Sequence, residues 1–99
     1  MKVTLVRIIG DFELQREVEL PFVPQVGTIL AYKARPGSHI EADDRLEVMQ
    51  VEWDGFRNEL LLVVEDEEGD GPEQGFPELR KALITEFGWH EPGTPRDTN

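Results

Sequence analysis

The chain contains no cysteine, and that absence excludes several kinds of chemistry at once. A disulfide framework, a zinc site built from thiolates and a thiol nucleophile all need this side chain. Serine is almost as scarce, because Ser38 is the only one among 99 residues. The nine glycines stand singly at turns and form no phosphate-binding loop. On these grounds we predict no catalytic residue, no metal and no cofactor, and hence a protein that is not an enzyme.

Long hydrophobic runs are also missing. The longest aliphatic run is Leu60–Val64, whereas a membrane-spanning helix needs about 20 apolar residues. Lys2 and Arg7 interrupt the apolar residues at the N-terminus, a pattern that does not fit a signal peptide. We therefore expect a cytoplasmic protein without a membrane partner, and the lack of cysteine fits a reducing compartment.

Basic residues are outnumbered by acidic ones. The chain has 10 lysines and arginines against 21 aspartates and glutamates, which gives a net charge of −11. A field of this sign repels the phosphate backbone of nucleic acids, so we predict no direct nucleic-acid binding. The same field keeps a protein in solution and attracts basic partners, and the sequence leaves both explanations open.

Residues 1–65 consist mainly of short β-prone segments separated by turn signals. The clearest is the segment 12–20, in which apolar residues alternate with polar ones. Arg16 is the polar exception on the apolar side, which indicates a strand end or an edge strand. In the segment 46–53 the apolar side changes along the chain, which indicates a bulge or a strand buried on both faces. Five strands are predicted, at residues 2–9, 12–20, 28–32, 46–53 and 58–65.

A single helix is predicted near the C-terminus, over residues 77–87, with a proline in its first turn. An apolar stripe recurs at every fourth position, at Leu79, Leu83 and Phe87. Gly88 follows as a left-handed cap, and Trp89 can pack back onto the last turn. We expect one β-rich domain over residues 1–90 and a flexible tail over residues 91–99.

The predicted elements form a mainly β (α+β) domain closed by one C-terminal helix. Sequential strands joined by short turns favour a five-stranded antiparallel sheet that is strongly bent or closed into a small SH3-like barrel. An OB-like barrel is the second choice, because its helix usually lies between the third and fourth strands. The run Leu60–Val64 predicts that the last strand is covered on both faces, with the helix on one of them.

An acidic loop is predicted at residues 65–75, and its opening imitates a calcium-binding EF-hand loop. Asp66, Glu68 and Asp70 stand at alternate positions, as calcium ligands do. The twelfth position, which supplies a bidentate glutamate in such loops, is Pro77. The EF-hand is therefore rejected, and a weak cation site is kept as an alternative to a solvated connector.

A second polar group lies in the loop between the third and fourth strands. It places a hydroxyl, an imidazole and three carboxylates within seven residues: Ser38, His39, Glu41, Asp43 and Asp44. Such groups can form a nucleophile with its base or a loose set of metal ligands. Neighbours in an exposed loop rarely converge on one reacting atom, so we interpret the group as a polar surface loop. A small metal-dependent hydrolase centred on His39 is kept as the third hypothesis for function.

Four aromatic residues flank the predicted loops and turns and are candidates for an interaction surface: Phe22, Tyr32, Trp53 and Phe56. Small barrels bind partners through such rings. For Trp53 and Phe56 the alternative is a cross-strand pair that locks the hairpin at Asp54-Gly55. Phe22 stands between two prolines and either plugs the end of the barrel or stands out as an anchor.

The leading hypothesis is a non-enzymatic module that binds another protein, and homodimerisation through an edge strand is one form of it. The alternative is an acidic mimic that regulates a nucleic-acid-binding machine by occupying its basic site. Glu13, Glu17 and Glu19 share one strand face, which supports this alternative, although an ordinary solvated sheet face has the same pattern.

Two segments of the chain resemble a group of small uncharacterised bacterial proteins. Residues 20–30 contain an L-P-F-x-P-x-x-G-x-x-[IL] block, and residues 48–53 contain a V-x-x-V-x-W strand. The resemblance implies a bacterial origin and a compact β fold. It implies no activity.

Overall fold

The computed structural model describes residues 1–93, and the last part of the predicted tail, residues 94–99, lies outside them. Five strands precede the C-terminal helix, as predicted. The strands are β1 (Lys2–Ile9), β2 (Phe12–Glu19), β3 (Ile29–Tyr32), β4 (Asp44–Asp54) and β5 (Glu59–Asp66). A single 3₁₀ turn at Glu73–Gly75 leads into α1 (Phe76–Phe87). No helix within residues 1–93 has the length and apolar character needed to cross a membrane.

All five strands belong to one sheet, in the order β2-β1-β5-β4-β3. The prediction of an antiparallel sheet is wrong at its centre, because β1 and β5 run parallel, with Val3 opposite Leu60 and Arg7 opposite Val64. The connection 20–28 causes this arrangement, since it carries the chain from the β2 edge to the opposite edge. The antiparallel series β3-β4-β5 then returns to the centre, where β5 lies beside β1. The sheet is therefore mixed, and the mainly β class is confirmed.

The sheet is curled into a half-barrel, as a contact between its two edge strands demonstrates. The guanidinium carbon of Arg16 on β2 lies 4.4 Å from the ring centre of Tyr32 on β3. In a flat sheet these strands would be four strand spacings apart, or about 19 Å. Arg16 thus lies on an edge strand, as predicted. A predicted bulge is also present in β4, where the register shifts between Val48 and Gln50.

The helix covers one face of the sheet, here called the core face. Leu83 and Phe87 of α1 are buried there together with Trp89. The remaining buried apolar side chains come from the strands and the connection 20–28: Val3, Leu5, Ile9, Leu14, Leu20, Leu30, Leu46, Val48, Leu60, Leu62 and Val64. The prediction that β5 is covered on both faces is not met within residues 1–93. Leu61 and Val63 point away from α1 and stay partly exposed, because α1 is the only α-helix within residues 1–93 and lies on the core face.

One charged side chain, Arg7, lies among the apolar residues of the core face and is 1% exposed. Its Nη1 donates a hydrogen bond to Oδ1 of Asp44 at 2.9 Å, and its Nη2 donates one to Oδ1 of Asp70 at 3.0 Å. Asp66 lies 3.7 Å from the same Nη2. The indole Nε1 of Trp89 donates to the second oxygen of Asp44 at 3.0 Å. Arg7 therefore connects β1, β4, the loop after β5 and the segment after α1.

The end of α1 brings Trp89 into this group. Gly88 has a φ of 80°, the left-handed conformation predicted for the cap, and it turns the chain back. The backbone N–H of Trp89 then donates to the carbonyl of Leu83 at 3.1 Å. One residue later, His90 pairs with Gln15 through two backbone hydrogen bonds of 2.7 and 2.9 Å. The segment after the helix therefore also covers the middle of the β2 edge.

Removal of Arg7 tests how strongly the fold depends on this buried group. The variant Arg7→Ala is expected to lower the free energy of unfolding by about 3–5 kcal/mol, because it leaves buried carboxylates without a compensating charge. Urea denaturation followed by tryptophan fluorescence measures the loss.

The matched control is Arg45→Ala. Arg45 binds Glu67 at the surface, with Nε 2.9 Å from Oε1, and exposed ion pairs contribute little. We expect its urea midpoint to stay near that of the wild type. Equal losses for the two variants would contradict a special role for Arg7.

Candidate interaction surface

Large exposed apolar side chains gather at one end of the half-barrel, where β2 and β4 end and β5 begins. Phe56 is 98% exposed, Trp53 60% and Phe22 49%. Val23, next to Phe22 in the chain, is also exposed. These four residues are here called the apolar end. Exposed apolar groups in one region are a common mark of an interaction site.

The connection 20–28 presents its apolar residues outward because both of its margins are anchored. Leu20 is buried, and its backbone N–H donates to the carbonyl of Met1 at 2.9 Å. Near the other margin, the N–H of Gly27 donates to the carbonyl of Val48 at 2.8 Å. Pro24 is buried between these anchors. With inward positions occupied by leucine and proline, the phenylalanine and valines of the segment face solvent.

The turn after β4 holds Phe56 away from the sheet. One oxygen of Asp54, Oδ1, accepts hydrogen bonds from the backbone N–H groups of Phe56 and Arg57 at 3.0 and 3.1 Å. Asn58 closes the turn in the left-handed conformation, with a φ of 59°. Phe56 thus lies in the turn rather than in a strand. It does not face Trp53 across the hairpin, since the strand partner of Trp53 is Leu60.

The fourth predicted aromatic residue, Tyr32, lies elsewhere. It ends β3 opposite Asp44, at the other end of the sheet, and is only partly exposed. Burial raises the pKa of its phenol, while the nearby charge of Arg16 acts in the opposite direction. The structure therefore brings Phe22, Trp53 and Phe56 to one end and assigns Tyr32 to the contact between the sheet edges.

The loop that carries Ser38 and His39 packs against α1 and borders an open groove of about 280 Å³. The carboxylate on which these side chains act is not in the loop but at Glu86, on the last turn of the helix. A hydrogen bond from the Ser38 hydroxyl, with the charge of Arg35 nearby, lowers the pKa of Glu86 despite the opposing effect of burial. Ser38 and His39 of this loop therefore both act on a carboxylate that belongs to a different element.

The carboxylates of this loop do not converge. Asp44 is buried against Arg7, whereas Asp43 lies 3.5 Å from the ammonium of Lys33 at the surface. Among the residues that the structure describes, no group of three histidine or acidic side chains has the geometry of a metal site. The sequence does not reveal Glu86 as a partner of Ser38, because 48 positions separate the two residues and no local pattern joins them.

The acidic loop after β5 is anchored by arginines rather than left as a solvated connector. Asp66 and Asp70 turn inward to Arg7. Glu67 binds Arg45, whose hydrogen bonds and charge lower the pKa of that carboxyl. Of the three carboxylates that imitated an EF-hand in the sequence, Asp66 and Asp70 therefore serve as partners of a single guanidinium, that of Arg7.

The face of the sheet that points away from α1 is here called the outer face. Its centre carries apolar side chains from the two middle strands: Val6, Ile8, Leu61 and Val63. Strand alternation places seven glutamates on the same face: Glu13, Glu17, Glu19, Glu47, Glu52, Glu59 and Glu65. The glutamates predicted to share one face of β2 thus belong to a larger acidic surface. Glu17 binds His90, with 3.0 Å between Oε1 and Nε2.

The pairing of Ser38 with Glu86 predicts a specific titration change. In Ser38→Ala the pKa of Glu86 is expected to rise toward its ordinary value, because the hydroxyl donor is its largest stabilising partner. Carboxyl-detected NMR across an acid titration measures it. Since the folded-state pKa is the lower one, this contribution to stability is present above the ordinary glutamate range and is lost as the pH falls.

His39→Ala provides the control for that titration, because His39 is the weakest of the groups that act on Glu86. We expect a smaller shift than in Ser38→Ala. A larger shift in His39→Ala would mean that the imidazole, not the hydroxyl, holds the carboxylate.

The two segments that resemble small bacterial proteins lie next to each other in the fold. Besides the bond from Gly27, the N–H of Val48 donates to the carbonyl of Thr28 at 2.9 Å. These two bonds join the connection 20–28 to β4 at Val48, beside its bulge. Comparison of the chain with protein-family models, with curated proteins and with solved structures gives no match.

Proposed function

We propose that this chain is a non-enzymatic protein-interaction module that binds its partner through the apolar end. The observation that carries the proposal is the side chain of Phe56, which is 98% exposed at the tip of a hydrogen-bonded turn. Leaving such a ring in water gives no stability to the isolated chain. Burial in a partner's pocket would contribute about 1.5–3 kcal/mol.

The surroundings of Phe56 support this function. Trp53 and Phe22 lie at the same end and present two more large aromatic surfaces. Tryptophan is enriched among the residues that dominate binding energies. The Asp54 cap restrains the turn, so little conformational entropy would be lost on binding.

A protein with an apolar pocket fits this end better than a second copy joined edge to edge. His90 already occupies the middle of the β2 edge through its bonds to Gln15, and β3 offers an edge of only four residues. Two copies would also bring net charges of −11 together. The SH3-like barrel is a proposed analogy of architecture, in that a small curled sheet offers one end to a partner.

An acidic mimic of nucleic acid is the second candidate, and the seven glutamates of the outer face favour it. Binding of this kind weakens steeply with salt, because charge pairs provide most of the energy. The apolar centre of the same face does not serve phosphate mimicry. The two candidates therefore differ in salt dependence and in the surface that they use.

The apolar end can be tested with immobilised protein and a lysate of the source organism. A partner retained by the wild type in high salt, once identified and purified, is expected to bind Phe56→Ala at least ~10-fold more weakly, a change of about 1.4 kcal/mol. Calorimetry measures the affinities. Because Phe56 makes no buried contact, the urea midpoint of the variant should equal that of the wild type.

Ile8→Ala is the matched control, since Ile8 is 58% exposed but lies on the outer face. It should leave the affinity for that partner unchanged. Binding that is insensitive to Phe56→Ala, or that disappears in salt, would contradict the proposal and favour the acidic mimic.

A further inference from the structure

The outer face has an apolar centre and a border of glutamates, two features that an ordinary solvated sheet face does not combine. Its centre is apolar over adjacent strands, with Val6 directly opposite Val63, and Ile8 is 58% exposed. The single helix lies on the core face, so within residues 1–93 no helix covers this apolar centre. Apolar side chains that remain uncovered at the middle of a sheet form a surface for another element.

Glutamates border the apolar centre on both sides. On the β2 side, Glu13 stands opposite Ile8, and on the β4 side, Glu52 stands opposite Leu61. Five of the seven glutamates therefore form two rows, on β2 and β4, with the apolar strip between them, and Glu59 and Glu65 stand at the two ends of the strip on β5. A partner that is complementary to this pattern has an apolar stripe bordered by positive charge.

One pair of glutamates on the outer face lowers the stability of the isolated chain through charge repulsion. Glu47 on β4 stands directly opposite Glu65 on β5. Like charges in this position destabilise a sheet. Within residues 1–93 neither carboxylate has a lysine, arginine or histidine nitrogen within ion-pair distance, in contrast to Glu67 and its partner Arg45. The repulsion between Glu47 and Glu65 would be relieved by a cationic group placed over the two strands.

We propose that the outer face is a second docking surface and that its occupant is a cationic amphipathic helix of a partner protein. The apolar stripe of the helix lies on Val6, Ile8, Leu61 and Val63. Lysines and arginines beside the stripe reach the glutamates of β2 and β4. A helix has a diameter of about 10 Å with its side chains, and strands are spaced about 5 Å apart. A helix above β1 and β5 thus reaches both flanking strands.

Charge and the apolar strip argue against a second copy, nucleic acid or an anionic lipid surface as the occupant of this face. A second copy would set glutamates against glutamates, and each copy has a net charge of −11. Nucleic acids and anionic lipid surfaces carry the same sign as the face. A purely phosphate-mimicking surface leaves the apolar strip without a role. The proposal concerns a surface separate from the apolar end and does not depend on the function proposed above.

The probe is a synthetic 18-residue amphipathic helix with leucine on one side and lysine on the others, compared with a scrambled peptide of equal composition. NMR of the ¹⁵N-labelled full chain is expected to show shifts at residues 4–8, 47–52 and 61–65 with the helical peptide. The scrambled peptide should bind at least ten-fold more weakly. Equal binding of the two peptides would overturn the proposal, because charge alone would then explain it.

The double variant Glu47→Gln/Glu65→Gln tests the two glutamates that stand opposite each other on β4 and β5. It should bind the helical peptide at least ten-fold more weakly, yet its urea midpoint should rise, since the repulsion is removed. The matched control is Glu73→Gln/Glu78→Gln, which removes the same charge from exposed positions outside the sheet. Equal weakening by both double variants would overturn the proposed site and leave only a general field effect.

The single variants Ile8→Thr and Phe56→Ala separate the two surfaces. Ile8→Thr should weaken the peptide and leave the salt-resistant partner of the apolar end unaffected, whereas Phe56→Ala should do the reverse. Loss of the peptide in Phe56→Ala with retention in Ile8→Thr would place the peptide at the apolar end and overturn the inference about the outer face. Failure of the first proposal alone would leave the peptide data unchanged.

Discussion

The guanidinium of Arg7 is the group on which the rest of the structure depends. A positive charge buried on a core face is costly unless its partners are close. Asp44 and Asp70 supply them at 2.9 and 3.0 Å, and Trp89 donates to the remaining oxygen of Asp44. This requirement holds the start of β4, the loop after β5 and the segment after α1 at one end of the half-barrel. Hydrogen bonds between charged and polar side chains hold these segments together at that end.

The opposite end of the half-barrel carries exposed apolar side chains. No buried ion pair has been found there, in the part of the chain that the structure describes, and the connection 20–28 and the Asp54 turn leave Phe22, Trp53 and Phe56 in solvent. Backbone and side-chain hydrogen bonds restrain both segments. The molecule is thus held together by buried charges at one end and presents apolar groups to solvent at the other.

The outer face adds an electrostatic surface to this arrangement. The negative net charge by itself is explained equally well by solubility. The strand register shows more, since it places glutamates on both sides of an apolar strip and sets Glu47 against Glu65. Because α1, the only α-helix in the described part of the chain, covers the core face, the apolar residues of β1 and β5 on the outer face stay partly or fully exposed. The glutamates and the partly exposed apolar side chains therefore lie on the same face of the sheet.

The sequence by itself determined the elements of this protein: the strands, the bulge in β4, the helix and the left-handed cap at Gly88. Alternation, capping and turn signals act over a few residues, so they are readable locally. Only the tertiary structure decided the parallel pairing of β1 with β5, the partners of Arg7 and the bond between Ser38 and Glu86. The residues joined to Arg7 are 37 and 63 positions away. Contacts at such separations depend on how the connection 20–28 crosses the sheet and on which buried charge needs a partner. Three of the four candidate aromatics lie at one end for a topological reason, since β2 and β4 both end there.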